Sequence, residues 1–476
     1  MKKNGKWGAM ALACLLAFSP QSIIADASRP VLPEKFENGV PGNPMEKPYW
    51  EIFGDAALEE IVRKGLSGNY DLRATEARIR QAEAIAEQAK APLLPNVNAT
   101  AGYTLRPYEG IRLPVSLGGP QGDDPNVVHN LSATLTASYL VDITGRQMLN
   151  RQAALYDVSA GRLDAVNQAT TLLSLIVKTY FSVCQATQQL SLVEEQIETN
   201  QAFLELVEAQ FDVGVSTAVD VLQQRQQLEG VKSRLPLVEM IARTNKQQLA
   251  ALIGETDISK LPAIPTKLPD DAPLPPTGTP ERLLTSRADL RAKSVRIEAL
   301  LMREKSAVRT LLPSLTLNGS VGYGFTYDRD SDHGETWSLG ALFSVPLFQG
   351  GANRAAIDQA RASTQTEVFA LQQAVIFAVA EVESSLSMIT LQKQNLGAIE
   401  SQLDAARTTF EEARKRYAVG LSNYLTVLTA LAGYQQVQLS RLQAKFDVLS
   451  SSITLMNALG GEWTRTLISN RIGREP

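Results

Sequence analysis

The chain has 476 residues, 20% of them charged, and a formal net charge of -4 at pH 7. Such a chain lacks the strong positive field that nucleic acids require, so we expect no nucleic-acid partner. Its two histidines, His129 and His333, lie in predicted loops far apart in the sequence, and it contains no P-loop or dinucleotide fingerprint. We therefore expect no metal site, no cofactor and no catalytic residues.

The first 27 residues have the features of a secretory signal peptide. Three lysines precede a short apolar run over residues 7–18, and residues 25–27 form a small-x-small cleavage site. Cys14 lies in a sequence that loosely matches a lipoprotein cleavage box, although the apolar run continues after it. We interpret Cys14 as part of the removed peptide, with lipidation at Cys14 as the alternative. The remaining cysteine, Cys184, lies in a helical pattern and is expected to be buried.

Four segments alternate apolar and polar residues with a period of two, which is the signal of a β-strand. None of them contains Asp, Glu, Lys or Arg, and their polar faces carry Ser, Thr, Asn and Gly. Their length matches that of a tilted strand crossing a bilayer, about 9–11 residues. A soluble sandwich alternates in the same way and remains an alternative. The segments cover about 96–105, 130–141, 314–326 and 336–347.

The number of strands has a consequence for assembly. Four strands cannot close a membrane barrel, since the smallest common barrels have about eight. An open sheet in lipid would leave the backbone groups at its edges without hydrogen bonds, each at a cost of several kcal/mol. If the sheet lies in a membrane, several chains must build one barrel.

Long helices with a coiled-coil seam are predicted in both halves of the chain. Apolar residues recur at alternating spacings of three and four from Ile176 to Phe211, and again in the same register from Val382 to Tyr417. This periodicity is typical of helices that pack lengthwise against one another. After the signal peptide we find no apolar stretch of about 20 residues, so no transmembrane helix is expected.

A similar 13-residue motif follows the coiled-coil seam in each half of the chain. Residues 210–222 read QFDVGVSTAVDVL and residues 416–428 read RYAVGLSNYLTVL. Glycine suits the left-handed end of a helix, and serine suits the N-cap of the next one. The motif therefore predicts the turn of a helical hairpin in each half. The turn residues are Gly214, Ser216, Gly420 and Ser422.

The chain is thus predicted to be an internal duplication. Each half contains a helix, two strands, a long helix, a turn and a return helix, and a proline-rich linker joins the halves. The strand–helix junctions are Pro95, Gly145, Pro313, Gly350 and Gly351. The predicted divisions are a signal peptide (1–27), a first repeat (28–261), a linker (262–280) and a second repeat (281–476). The hairpins cover about 150–253 and 352–459 and turn at 212–217 and 418–423.

These features together resemble the TolC-like outer-membrane efflux channels, in the NodT-type branch paired with resistance–nodulation–division pumps. The motifs that carry the resemblance are residues 50–58 near the start, 141–146 and 345–351 at the strand exits, and 458–463 after the last helix. Their order and spacing cover nearly all of the chain after the signal peptide.

The resemblance implies a fold that is mainly α with a membrane β part. Three chains would form a twelve-stranded β-barrel continuous with a long α-helical coiled-coil barrel. It also implies a passive exit duct for drugs or other small toxic compounds in the outer membrane of a Gram-negative bacterium, with a large periplasmic part, rather than an enzyme. The implied partners are outer-membrane lipid, a periplasmic adaptor (membrane fusion protein) and an inner-membrane resistance–nodulation–division transporter.

The resemblance also places the gate at the periplasmic tip formed by the hairpin turns. By position, Tyr424, Leu425 and Thr429 would line the tip of the second repeat, and Asp220 and Leu222 belong to the first hairpin. Family members often carry Asp at the position of Thr429, and the threonine here favours an apolar plug at Leu425 over a charged ring.

Two alternatives remain open from the sequence. A channel of this kind also serves type I protein secretion, in which an ABC exporter replaces the resistance–nodulation–division pump. A more distant alternative is an exported coiled-coil scaffold with a soluble β-sandwich, against which the uncharged strands argue.

Overall fold

A computed structural model describes residues 32–40, 42, 48–107, 127–270, 274–327 and 332–461. The predicted signal peptide, and Cys14 with it, lies outside the described residues. The chain divides into two compact units. The helical unit comprises Met1–Arg78, Gly161–Lys293 and Ala370–Pro476, and the strand unit comprises Ile79–Ala160 and Ser294–Phe369.

The strand unit contains a four-stranded antiparallel sheet with its strands in sequence order. The pairing places Ala133 opposite both Ala101 and Tyr323. Because paired residues are all odd-numbered or all even-numbered, odd positions share one face of the sheet and even positions share the other. The strands are β1 (Asn96–Pro107), β2 (Val127–Val141), β3 (Ser314–Tyr327) and β4 (Asp332–Ser344).

The two faces of the sheet differ in polarity. On the odd-numbered face Val97, Leu131, Val321, Trp337 and Leu339 are each more than half exposed, with Leu339 at 82%. The even-numbered face carries mainly Ser, Thr, Asn and Gly. A large apolar surface left open by a single chain marks a contact with lipid or protein. We call the two sides the apolar face and the polar face.

The strands differ at their ends from the sequence prediction. Strand β4 begins four residues earlier than the apolar alternation, at Asp332, and ends before Pro346. It includes His333 and Glu335, and β2 includes His129, so the prediction that both histidines lie in loops is wrong. Backbone pairing needs only a facing strand, so it continues beyond the residues whose side chains alternate.

Two long helices dominate the chain. Helices α3 (Arg146–Asp212) and α8 (Ala352–Ala418) have 67 residues each. At a rise of 1.5 Å per residue each is about 100 Å long. The helices are α1 (Ala56–Gly68), α2 (Tyr70–Gln88), α3 (Arg146–Asp212), α4 (Ala218–Lys232), α5 (Leu235–Leu252), α6 (Leu283–Ser286), α7 (Ala288–Val308), α8 (Ala352–Ala418) and α9 (Tyr424–Leu459).

The return helix of the first hairpin is divided, whereas the sequence pattern predicts a continuous helix. Helix α4 ends at Lys232 and α5 begins at Leu235, with Pro236 in the first turn of α5. Proline lacks a backbone N–H and its ring clashes with the preceding turn, so a first turn accepts it and a helix interior does not. Helix α9, the matching element of the second hairpin, contains no proline and is continuous.

The core of the helical unit forms around the predicted seams. On α3, Ile176 and Val183 are fully buried in a cluster with residues of α5 and α9. On α8, Val382 and Ile389 are buried in a second cluster with residues of α7 and α9. Cys184 lies in the first cluster, as expected, and burial raises the pKa of its thiol to about 12.

Contrary to the sequence expectation, one helix among the described residues, α8, is long and apolar enough to cross a membrane by composition alone. A helix packed in a protein core can pass the same test. Val375, Val382 and Ile389 on this helix are each at most 4% exposed. Only about a third of the apolar stretch is buried, however, and Phe377 is 66% exposed, so one side of α8 belongs to the core of the helical unit and the other is open.

Candidate functional site

The two hairpins end in turns that need glycine for the same reason. Gly214 and Gly420 have φ angles of 77° and 74°, in the left-handed region. A Cβ atom at either position would have nothing within 4 Å, so the backbone conformation rather than the space requires glycine. The Gly214 N–H donates to the carbonyl of Phe211 at 2.9 Å, and the Gly420 N–H donates to that of Tyr417 at 3.0 Å.

The N-caps of the return helices lie one residue later than predicted. Thr217, not Ser216, caps α4 in a capping box: its hydroxyl accepts the Asp220 N–H at 3.3 Å, and the Asp220 carboxylate accepts the Thr217 N–H at 2.9 Å. Asn423, not Ser422, caps α9. In both turns the two residues after the glycine complete the reversal, so the extended cap position falls on the third.

Ser216 instead joins the two hairpins. Its hydroxyl donates to the side-chain oxygen of Gln210 on α3 at 3.1 Å and lies 3.1 Å from the hydroxyl of Tyr417 on α8. Tyr417 in turn donates to the same Gln210 oxygen at 2.5 Å. We call these three side chains the turn triangle. It is a hydrogen-bonded contact between the first and the second repeat at the level of the turns.

A second polar network lies among buried residues of the same two hairpins. The Tyr424 hydroxyl donates to Gln224 at 2.6 Å, and the Gln224 amide donates to the Asn200 carbonyl at 2.7 Å. The Asn200 amide donates to Gln435 on α9 at 3.3 Å. All four residues are at most 3% exposed. Burial, followed by the nearby Tyr417 and Asp220, raises the pKa of Tyr424, so its hydroxyl remains a donor at neutral pH.

The structure separates the predicted gate residues into exposed and buried ones. Leu425 and Leu222 are 47% and 62% exposed, while Tyr424 is 2% exposed. That the Tyr424 side chain lines the tip stays a prediction, and in this structure its ring and hydroxyl are buried against the first hairpin. The Thr429 hydroxyl donates to the Leu425 carbonyl of its own helix at 2.9 Å, and Asp220 belongs to the capping box.

Sequence reasoning missed both polar networks. The one available signal was Asn200, a polar residue at an apolar position of the first seam, and such residues often specify register in coiled coils. Gln210, Gln224 and Gln435 gave no signal, because glutamine is common on exposed helix faces.

Each turn also presents apolar side chains to the surface. Single exposed apolar residues are normal, but a cluster of them marks a contact site. Their exposures range from 47% at Leu425 to 78% at Leu421. We call these residues the turn patch: Val213, Val215, Val219, Leu222, Val419, Leu421 and Leu425.

The five predicted junction residues lie between strands and helices. Pro95 and Pro313 directly precede β1 and β3. Gly145, Gly350 and Gly351 precede α3 and α8, and all three have positive φ angles, of 68°, 60° and 89°. Each glycine allows a backbone conformation that other residues rarely adopt.

Comparison with known proteins identifies the chain. The family model described as "Outer membrane efflux protein" matches residues 61–255 and 279–461. This chain belongs to the outer membrane efflux protein family. The two matched segments leave out only the start of the chain, its end, and a stretch that includes most of the proline-rich linker.

Curated relatives of this efflux channel cover most of its length. It is 30% identical over 419 residues to the pyoverdine export outer membrane protein OpmQ of Pseudomonas aeruginosa, with 87% of each chain covered. It is 27% identical over 475 residues to the toluene efflux pump outer membrane protein TtgF of Pseudomonas putida, with 95% of this chain and 96% of that protein covered.

Solved structures show the same fold. The outer-membrane channel OprN is 25% identical with a TM-score of 0.76, covering 91% of this chain and 98% of that chain. CusC is 23% identical with a TM-score of 0.79, covering 92% and 99%. The predictions of a TolC-like channel, of a mainly α fold with a β part, of efflux and of an outer-membrane location are confirmed.

Proposed function

We propose that this efflux channel is the passive exit duct of a tripartite system, in which three copies close one barrel of twelve strands. The observation that carries the proposal is the open sheet. In the described chain β1 and β4 each pair with one neighbour, and the apolar face is exposed. In lipid such edges need partners, and further copies of the same sheet supply them.

Aromatic residues near the loop ends of the strands support membrane insertion. On the apolar face the Tyr103 hydroxyl lies 2.6 Å from Nδ1 of His129, and the ring of Phe325 stacks with that of His333 at 6.5 Å. Trp337 on the same face is 77% exposed. Aromatic girdles of this kind lie at the membrane–water interface of outer-membrane barrels.

We further propose that the cargo consists of drugs or other small toxic compounds and that the chain performs no catalysis. The relatives are named for export of pyoverdine and efflux of toluene. The polar face carries mostly uncharged hydroxyl and amide groups, which suit a water-filled passage for chemically varied solutes.

The turns form the periplasmic gate in this proposal. Opening moves the second hairpin away from the first and breaks the turn triangle, which joins Ser216 and Gln210 to Tyr417. Leu425, exposed beside the turn, forms an apolar plug, with Thr429 one helical turn further on. Tyr424 anchors the second hairpin from its buried position instead of lining the passage.

The residues of the turn patch other than Leu425 provide the docking site for a periplasmic adaptor, which connects the duct to an inner-membrane resistance–nodulation–division transporter. The apolar side chains exposed at the turns of both hairpins would be buried by such a partner. In the last turn of α8, Lys415 pairs with Glu412 at 3.0 Å and Arg416 follows it. In this proposal the apolar residues carry the contact with the adaptor, and the charges at the end of α8 mainly tune association.

The first test is the mass of the purified protein in detergent. We expect a particle of three chains, extracted from outer membranes only with detergent. A monomer recovered from periplasmic extract without detergent would overturn the shared barrel.

Deleting the gene should raise sensitivity to small toxic compounds, whereas loss of one secreted protein with unchanged sensitivity would favour the type I secretion alternative.

A further inference from the structure

A small polar cavity lies in the strand unit, where β2 ends and α3 begins. Its volume is about 200 Å³, and it is lined by residues from three segments, 140–147, 309–314 and 344–349. Pockets for drug-sized ligands are about 300–1,000 Å³, and one water occupies about 30 Å³. The cavity therefore has room for one small functional group with several waters.

The charged groups at the cavity are two arginines and one carboxylate, Arg146, Arg309 and Asp142. The Asp142 carboxylate accepts the backbone N–H groups of Gln147 at 3.2 Å and Met148 at 2.9 Å, so it already serves the first turn of α3. Neither arginine forms an ion pair with any residue that the structure describes. Asp142 keeps its negative charge while it accepts these bonds, so the cavity has two guanidinium groups against one carboxylate and remains positively charged.

The backbone at Gly145 makes room for one of these arginines. A Cβ atom there would lie only 2.5 Å from Nη1 of Arg309, so the guanidinium lies directly over the glycine. The residue also has a φ of 68°, which disfavours any side chain. Arg309 is half-buried beside the cavity, and a partly desolvated guanidinium without a counter-ion favours an anion.

Four of the lining residues belong to strands, and three of them lie on the polar face, whereas Val141 lies on the apolar face. Ser314 lies opposite Ser344, and both are at even positions, as is Leu140. The hydroxyls of these serines and of Thr144 add neutral hydrogen-bonding groups. If the polar face lines the duct, as the proposed function requires, the cavity lies along the path of the exported solute.

We propose that this cavity is an anion-binding subsite of the duct, which takes the carboxylate or phosphate group of a small solute. Its place in the duct rests on the proposed function, while its chemistry rests on the cavity alone. A guanidinium binds both kinds of anion through two parallel hydrogen bonds. The subsite holds the solute by one group only, which is consistent with passage rather than tight binding.

The test measures binding of benzoate to the full-length protein in detergent by saturation-transfer NMR, with uncharged benzamide as the matched probe. We expect benzoate to bind and inorganic phosphate to displace it. Arg309→Gln should weaken benzoate binding roughly tenfold, the loss of one charged hydrogen-bonding partner. Arg303→Gln is the control, because Arg303 pairs with Asp157 and does not line the cavity.

A second variant, Arg146→Gln, keeps the test valid if Arg309→Gln does not fold, because Arg146 is exposed. Equal binding of benzamide and benzoate, or unchanged benzoate binding in both variants, would overturn the proposal. Displacement by dispersed phosphatidylglycerol but not by free phosphate would assign the site to a lipid headgroup and overturn it as well. None of these results depends on the number of chains or on transport, so the proposed function stands or falls separately.

Discussion

At the scale of single residues, identical roles in the two repeats are performed by different side chains. Thr217 and Asn423 occupy the same cap position and both accept a backbone N–H, although one does so with a hydroxyl and the other with an amide oxygen. Gly214 and Gly420, by contrast, are the same residue in both turns. Many short polar side chains can cap a helix, whereas the left-handed backbone tolerates little except glycine.

This difference leads to a prediction for the turns. Gly214→Ala should destabilise the protein by about 1–2 kcal/mol, because alanine is strained in the left-handed region. The control is Gly230→Ala, which lies inside α4 with nothing within 4 Å of an added Cβ. That change should stabilise by up to about 1 kcal/mol, since alanine favours a helix.

The measurement is the apparent melting temperature of each variant in detergent, followed by circular dichroism. The two substitutions are chemically identical and should shift it in opposite directions. A similar shift in the same direction for both would show that the backbone conformation at the first turn is not the reason for its glycine.

At the scale of elements, the hairpins are joined by polar contacts as well as by the apolar seam. At the turn itself the first seam is open, since Phe211 is 46% exposed while Val207, one helical turn away, is fully buried. Phe203 and Phe410 make an edge-to-face ring contact at 5.9 Å, and beyond it, closest to the turns, α3 and α8 are connected by the turn triangle. A neutral hydrogen bond contributes only about 0.5–1.5 kcal/mol, so this connection can be broken without unfolding either hairpin.

We therefore expect Tyr417→Phe to loosen the gate, because phenylalanine cannot donate to Gln210. Its single-channel conductance in a planar bilayer should rise, and cells carrying it should become more sensitive to large antibiotics. The control is Tyr434→Phe, which removes a tyrosine hydroxyl on α9 whose ring stacks on Phe410 at 6.0 Å. That variant should conduct like the unmodified protein. Equal conductance in all three proteins would rule out a gating role for the turn triangle.

At the scale of the whole molecule, the difference between the two faces of the sheet determines how the sheet is oriented in the membrane. A single-residue change of register would exchange the faces, so the observed pairing determines which side chains meet lipid. Leu339, 82% exposed on the apolar face, is followed by Gly340 on the polar face, where an added Cβ has nothing within 4 Å.

These neighbours allow a direct test of membrane placement. Leu339→Lys should reduce the amount of assembled channel in outer membranes, because a lysine facing lipid is unfavourable, by up to about 2–4 kcal/mol at the bilayer midplane and less towards the interface. Gly340→Lys should be tolerated, since its side chain would point into the water-filled interior. The amounts are compared by extraction of outer membranes and gel filtration in detergent. Greater loss for Gly340→Lys than for Leu339→Lys would contradict the assignment of the faces.

The sequence by itself determined the elements that depend on local periodicity and backbone preference. Alternation with period two indicated the four strands, the spacing of three and four indicated the seams, and glycine marked the turns. Pro236 also carried a local signal, since proline at that position divides the return helix of the first hairpin. The helical pattern on both sides of it nevertheless led to the prediction of one continuous helix. These features are readable because each depends on residues that are close together in the chain.

Only the tertiary structure decided which polar groups meet. Asn200 and Gln435 are far apart in sequence and hydrogen-bond only because α3 and α9 pack together. Tyr424 belongs by position to the tip, yet its side chain is buried, since packing against the first hairpin offers its hydroxyl a partner in Gln224. These buried polar groups find hydrogen-bond partners on distant parts of the chain, and no local pattern in the sequence records those partners.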